Sequence, residues 1–270
     1  MTIEKASTLQ IILLSTLGWC MSLARKFMRV TPTATLTAHT AHFCAQGLLI
    51  VTFLLPIKIL ILLGSDSIPE YLPPVFKAFS KPWLIIGLSV LTAVFYGLYL
   101  VSELIASRYS RTGADQLMNR HPKPAPLNNQ RPLAVLVFSR FTRGLSAATF
   151  VTTALGTLLY IYPALLTIAL LYIVVATALV IVLYNRQARI RSLVQRHHNP
   201  LLNALSSLGF LGTFAFMVMD FLYMNPAPIY IALISLILVR QSLARLKALI
   251  EDAIYLKSHQ HKINALFLAH

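Results

Sequence analysis

Apolar positions gather along this chain into long runs, at about His42–Leu63, Trp83–Ala106, Leu133–Leu159, Ala164–Tyr184, Leu201–Tyr223 and Ala227–Leu249. Each approaches or exceeds the roughly 20 residues a helix needs to cross the hydrocarbon of a bilayer. The pattern predicts an all-α membrane protein of about six transmembrane helices. On this reading residues 42–249 form the transmembrane domain, 1–41 an N-terminal cytoplasmic segment and 250–270 a cytoplasmic tail.

The breaks between runs alternate in character. Gly64–Lys81 is rich in proline and carries Asp66, Glu70, Lys77 and Lys81, while Tyr160–Pro163 and Met224–Pro228 are tight, uncharged turns. These are the expected outer connections. Arg108–Arg131 holds Arg108, Arg111, Arg120, Lys123 and Arg131, and Asn185–Pro200 holds Arg186, Arg189, Arg191 and Arg196. Excess Lys and Arg marks a loop as cytoplasmic, so these two face inward. Lys5, Arg25, Lys26 and Arg29 before the first run, and Arg245, Lys247, Lys257 and Lys262 late in the chain, place both ends inside as well. Tyr71, Trp83, Tyr160, Tyr162, Tyr223 and Tyr230 fall near the outer boundary, where aromatic rings suit the headgroup layer.

Leu9–Val30 fits this scheme differently. Its apolar part, Ile11 to Leu23, is short for a span and runs into Arg25-Lys26-Phe27-Met28-Arg29 without a small-residue cleavage site, which argues against a removed signal peptide. Leu17, Met21, Ala24 and Met28 follow helical spacing, with Trp19, Leu23 and Phe27 close to the same side. An amphipathic helix on the inner surface is the expectation, with a seventh span as the alternative. The tail Glu251–His270 also reads as helical, with Ala253, Ile254, Leu256, Ile263, Leu266 and Phe267 on an incomplete apolar face that docks a partner or lies on the membrane.

Composition sharpens the class. Hydrophobic residues make up 57% of the 270 and charged residues 11%, against about a quarter in soluble domains. The formal net charge of +15 sits between apolar runs, so it reads as topology and anionic-lipid contact, not nucleic-acid binding. Cys20 and Cys44, the only cysteines, are too few for a disulfide framework or a four-thiolate metal site and read as reduced, packed thiols.

Charges at membrane depth are candidates for function, because burying one without a partner costs at least about 3 kcal/mol. Lys58 follows Pro56 in the outer half of the first run, Glu103 lies near the inner end of the second, and Asp220 near the outer end of the fifth. Arg140 and Arg143 begin the third run and Arg240 sits in the inner half of the sixth, within snorkelling reach of an interface. Asp220 is too short to snorkel far, which makes Lys58 a candidate partner; such a pair would fix packing before it performed chemistry. His39 and His42 are spaced i, i+3, and His197-His198 adjoin Arg196, but neither pair has a carboxylate nearby in sequence, so no metal site or other cofactor is expected. Solvated or interfacial histidines are the expectation.

A phosphate-cradling G-x-x-x-x-G-K-[ST] loop is absent, as are a G-x-S-x-G elbow, H-E-x-x-H and paired intramembrane aspartates, so the chain does not read as an enzyme. Pro56 removes one helical hydrogen bond and reads as a structural kink. Ala204, Ser206, Ser207, Gly209 and Gly212 allow close helix approach in the fifth run.

The order of parts resembles the transmembrane half of a type I ABC exporter. Leu9–Val30 takes the place of that family's elbow helix, Leu48-Leu49-Ile50-Val51-Thr52-Phe53-Leu54-Leu55-Pro56-Ile57-Lys58 that of a Pro-containing first span, and Met224–Leu249 that of the last. The stretch Asn225-Pro226 through Ile237-Leu238-Val239-Arg240, followed by Leu243-Ala244-Arg245-Leu246, resembles the sixth span of the peptide- and protein-exporting branch. The resemblance implies alternating access, a dimer or a hetero-oligomer with another membrane protein, and a separate ATPase subunit docked on Arg108–Arg131 and Asn185–Pro200. It departs from the family in carrying no ATPase sequence after the sixth run and in a much shorter second cytoplasmic loop. The expected function is an inner-membrane subunit of an export or envelope-assembly system. The competing readings are a non-transporting scaffold, suggested by the scarcity of polar residues in the runs, and an enzyme acting on lipid-linked substrates through Glu103, Asp220 or His197.

Overall fold

The computed structural model describes residues 18–65, 79–120, 130–186, 198–223 and 228–268, and among them the chain is helical with no strand. Helix α1 covers 18–30, α2 Pro32–Gly64, α3 Lys81–Arg120, α4 Gln130–Ile161, α5 Pro163–Arg186, α6 His198–Tyr223, α7 Ile229–Ser258 and α8 Gln260–Ile263, with a final π-helical turn at Asn264–Leu268. Six of these, α2 to α7, are long and apolar enough to cross a membrane. Large apolar side chains such as Val90, Leu104, Val174 and Leu211 point outward along them. In water that surface would be an aggregation liability, whereas in lipid it is the required coat. The chain is a multi-pass membrane protein.

Helices α4 and α7 form the central pair, with α2 and α3 on one side and α5 and α6 on the other. Leu158, Tyr162, Leu165 and Val239 fill one end between α4, α5 and α7, and Ile50, Phe150 and Ala154 join α2 to α4 at mid-depth. At the other end, Leu23, Phe27, Leu117, Val137, Phe138, Leu256, Ile263 and Phe267 bring together α1, α3, α4 and the chain after α7. Arg25, Lys26, Arg29, Arg108 and Lys257 belong to this second end, which is called the basic end below.

The first helix pair is continuous except at one residue. Thr31 adopts φ −135°, and Pro32 starts α2 where its missing N–H is no loss. The Thr31 hydroxyl donates to the Phe27 carbonyl at 3.2 Å and that of Thr35 to the Thr31 carbonyl at 2.8 Å, so the bend is hydrogen-bonded throughout. Helix α2 therefore begins ten residues before the expected start of the first span at His42 (Pro32 against His42). It runs through Pro56 without interruption. At its far end the Lys81 ammonium donates to the Ser65 carbonyl at 2.6 Å and ties α2 to α3.

The elbow-like helix buries a different face from the one expected. Leu23 and Phe27 are fully buried in the basic-end core, while Met21 is 63% exposed and Met28 also faces out. Phe27 packs against Phe138, Phe141 and Phe267 with ring centroids 5.1, 5.1 and 5.6 Å apart. The Trp19 indole donates to Asn264 Oδ1 at 2.7 Å. The tail is not a free segment either, since α7 passes the expected boundary at Leu249 without a break and continues to Ser258. Its buried face, Leu256, Ile263 and Phe267, is covered by the protein's own α1, α3 and α4. Burial pushes the Cys20 thiol up from its ordinary pKa, so it stays protonated and packs as a neutral group.

Gly113 on α3 is required by a close approach. A Cβ there would overlap the ring of Phe138, which is itself fully buried against Phe27 and cannot swing away. Gly97 on the same helix has open space around it. Gly113→Ala is expected to destabilise by about 1–3 kcal/mol through overpacking, whereas Gly97→Ala is neutral or stabilising by up to about 1 kcal/mol. Thermal unfolding of the two variants in mild detergent checks the contrast.

Candidate functional site

Charged and hydroxylated side chains collect in the basic half of the bundle, between α2, α3, α4 and α7. The anchor is Asp252 on α7, 2% exposed, one turn beyond the last apolar run. Arg143 grips it with a fork, Nε to Oδ2 at 2.9 Å and Nη2 to Oδ1 at 2.6 Å, and Arg140 adds Nη1 to Oδ1 at 3.1 Å. Two guanidiniums one helical turn apart on α4 thus satisfy both oxygens of one carboxylate, a geometry that a lysine pair does not supply. Arg140 also lies 4.0 Å over the Tyr255 ring, and Tyr255 stacks on His259 at 4.3 Å. These arginines do not merely snorkel, as their place at the start of a span suggested; they close an ion triad.

Close to this triad, α2 presents His42 and Gln46 to α3 and α4, with His39 one turn before His42. Gln46 Nε2 donates to Ser146 Oγ on α4 at 2.9 Å, with both residues buried. His42 Nδ1 stands 3.7 Å from Glu103 Oε1 on α3, so the histidine does have a carboxylate beside it, brought there by the α2–α3 packing. Arg143 and Arg245 are the next charges that act on Glu103. His39 Nδ1, His42 Nε2, Gln46 Oε1 and Ser242 Oγ are buried with no hydrogen-bond partner among the described residues. Buried polar atoms in this state call for water or a polar ligand. Among the described residues no group of three or more His, Cys, Asp or Glu side chains gathers as metal ligands do.

The other sequence-selected residues scatter. Lys58 is exposed on the lipid-facing side of α2 and does not meet Asp220. Asp220 on α6 is buried and instead accepts a hydrogen bond from the hydroxyl of Tyr162, the residue between α4 and α5. Burial, and then the Asp220 carboxylate, push the Tyr162 phenol up to about 12, so it remains a donor. Arg240 is exposed, with its guanidinium 5.7 Å over the Phe210 ring. Arg108 and Arg111 stand exposed on the far stretch of α3. Arg120 and Arg186 are the last residues of α3 and α5, and only their backbone is described; Arg189, Arg191, Arg196 and His197 lie outside the described residues.

Asp252, Gln46 and Tyr162 carried no signal as members of a local motif. The available hint was scarcity: with 8 acids against 23 bases, an Asp beside an apolar run is a valuable partner for the Arg140-x-x-Arg143 pair. No family model, curated protein or solved structure matches the chain.

Removing one member of a buried ion cluster strands the rest. Asp252→Ala is expected to cost about 3 kcal/mol, the lower end of the usual range because both guanidiniums retain some solvent. A melting temperature unchanged in detergent, with the 259–268 region still resistant to protease, would show that the triad does not hold α7 to α4. At the other end, Tyr162→Phe leaves the buried Asp220 carboxylate without its donor and is expected to cost about 1–3 kcal/mol. Asp220→Asn keeps an acceptor for the phenol and should lose less in the same unfolding assay.

Proposed function

We propose that the chain is the membrane subunit of an export or envelope-assembly system in a bacterial-type inner membrane, with its basic end in the cytoplasm and a separate partner docked there. The observation that carries this reading is the length of α3. Its 40 residues extend about 60 Å at 1.5 Å per residue, roughly twice the hydrocarbon thickness, so the α3–α4 hairpin projects beyond the bilayer. Along the projection, Arg108, Thr112, Gln116 and Asn119 are all exposed at helical spacing and form a polar stripe turned away from α4.

The type I exporter resemblance supports the same arrangement. A partner ATPase would grip the long α3 arm. Nucleotide hydrolysis belongs to that partner in this reading, and the chain itself catalyses nothing. The orientation rests on the basic end attracting the cytoplasmic side by the positive-inside bias.

One observation favours the scaffold reading in its place. The polar layer around Gln46 and Glu103 is followed, toward the opposite end, by the apolar packing of Ile50, Phe150, Leu158, Leu165 and Val239. Apolar side chains dominate that half of the described bundle, which offers a hydrophilic cargo little polar surface.

Affinity capture of the tagged chain from mild detergent, with mass spectrometry of what accompanies it, tests the proposal. A stoichiometric partner is expected, and Arg108→Glu is expected to reduce its recovery at least about tenfold by placing a like charge against an acidic docking surface. Recovery of the wild-type chain alone, or nucleotide-independent transport by the chain in proteoliposomes, would sink the partner-driven version. Capture of assembly components without any ATPase would select the scaffold.

A further inference from the structure

A cavity of about 610 Å³ opens between α3 and α4 at the level where their apolar runs end. Ser107, Ser110 and Arg111 line it from α3, at i, i+3 and i+4, and Arg131, Leu136 and Ser139 line it from α4. It is separate from the outward Arg108–Asn119 stripe and from the Glu103 layer. Ser110 is 1% exposed, yet its Oγ has no hydrogen-bond partner among the described residues. Arg131 is spent on Asp115 through a fork, Nε to Oδ1 and Nη2 to Oδ2, both 2.9 Å. Arg111 has no ion pair among the described residues.

The groove therefore holds one neutralised pair, one uncompensated guanidinium and hydroxyls able to donate, of which one is buried and idle. That set fits a single negative charge spread over several oxygens, as in a phosphodiester. Its place decides the source. Ser107 directly follows Ala106, the last residue of the second apolar run; Leu136, 41% exposed, is part of the groove's wall, and Leu104, 70% exposed, lies one turn before Ser107 on the apolar side of α3. An anion whose tails lie along those leucines sits where lipid phosphates sit. We infer that this groove is a specific site for the headgroup of an anionic phospholipid, with Arg111 and Ser110 binding the phosphate and the exposed leucines carrying the acyl chains.

The test is native mass spectrometry of the purified chain in mild detergent, titrated with dioleoyl-phosphatidylglycerol or dioleoyl-phosphatidylcholine. The first phosphatidylglycerol is expected to bind about fivefold more tightly than phosphatidylcholine, the gain ordinarily brought by one well-placed cation. Arg111→Gln should abolish the preference and Ser110→Ala should reduce it. Ser110→Ala only deletes an unsatisfied buried hydroxyl, so it keeps the fold intact and guards against a folding artefact. Arg29→Gln, which removes the same charge from α1 at the same end, should retain the preference. Equal affinity for the two lipids in the wild type, persistence of the preference in Arg111→Gln, or an equal loss in Arg29→Gln would overturn the site. Binding of glycerol phosphate as tight as that of the lipid would assign the groove to a free phosphate and equally overturn it.

Discussion

A carboxylate that is 2% exposed at the edge of a low-dielectric bundle survives as a charge only if cations meet it, and around Asp252 two of them do. The requirement acts over distance, since α4 and α7 must approach closely enough for both arginines to reach one side chain. Once they do, the direction of α7 beyond the bilayer is set, and Leu256, Ile263 and Phe267 are carried onto the same surface that receives Leu23 and Phe27. The ion triad contributes little net energy against an apolar replacement of equal volume, because desolvation offsets most of the attraction. What it supplies is register: an α7 rotated or shifted by one residue would leave a buried negative charge unpaired.

The two sides of the bundle then differ in kind. On the α2–α3 side, polar contacts repeat from end to end, with Lys81 on the Ser65 carbonyl, His42 beside Glu103 and Gln46 on Ser146. On the α5–α6 side, contact depends on fit. Gly209 lies where a Cβ would strike the Tyr172 ring, and the Tyr172 hydroxyl reaches the Leu205 carbonyl at 2.5 Å. Lipid does not drive apolar helices together as water does, so small residues and a few interhelical hydrogen bonds must do so. The braced side is also the one with the longest helix, α3 at 40 residues.

A buried polar layer lies against this side. His42, Gln46 and Ser242 hold atoms without hydrogen-bond partners among the described residues within one or two turns of Glu103 and the arginine pair. The His39–His42 spacing on α2 was legible in the sequence, but the orientation of His42 toward Glu103 on α3 and of Gln46 toward Ser146 on α4 depends on how α2 packs.

What the sequence determined by itself was the class and the number of long apolar helices, because a hydrocarbon layer imposes one length and one polarity on any helix that crosses it, while the helices α2, α3 and α7 run well past the apolar runs. All six expected runs are helices of the bundle, and the helical nature of Leu9–Val30 and of the tail holds over the residues described. The partners were decided by the tertiary structure alone. Asp220 meets Tyr162 and not Lys58, Glu103 meets His42, Asp252 meets two arginines more than a hundred residues away, and the two terminal helices cover each other. Inside a membrane most faces are apolar and equivalent to the sequence reader, so periodicity does not tell which face looks inward. Only the packing of particular side chains, and the cost of leaving a buried charge alone, makes that choice.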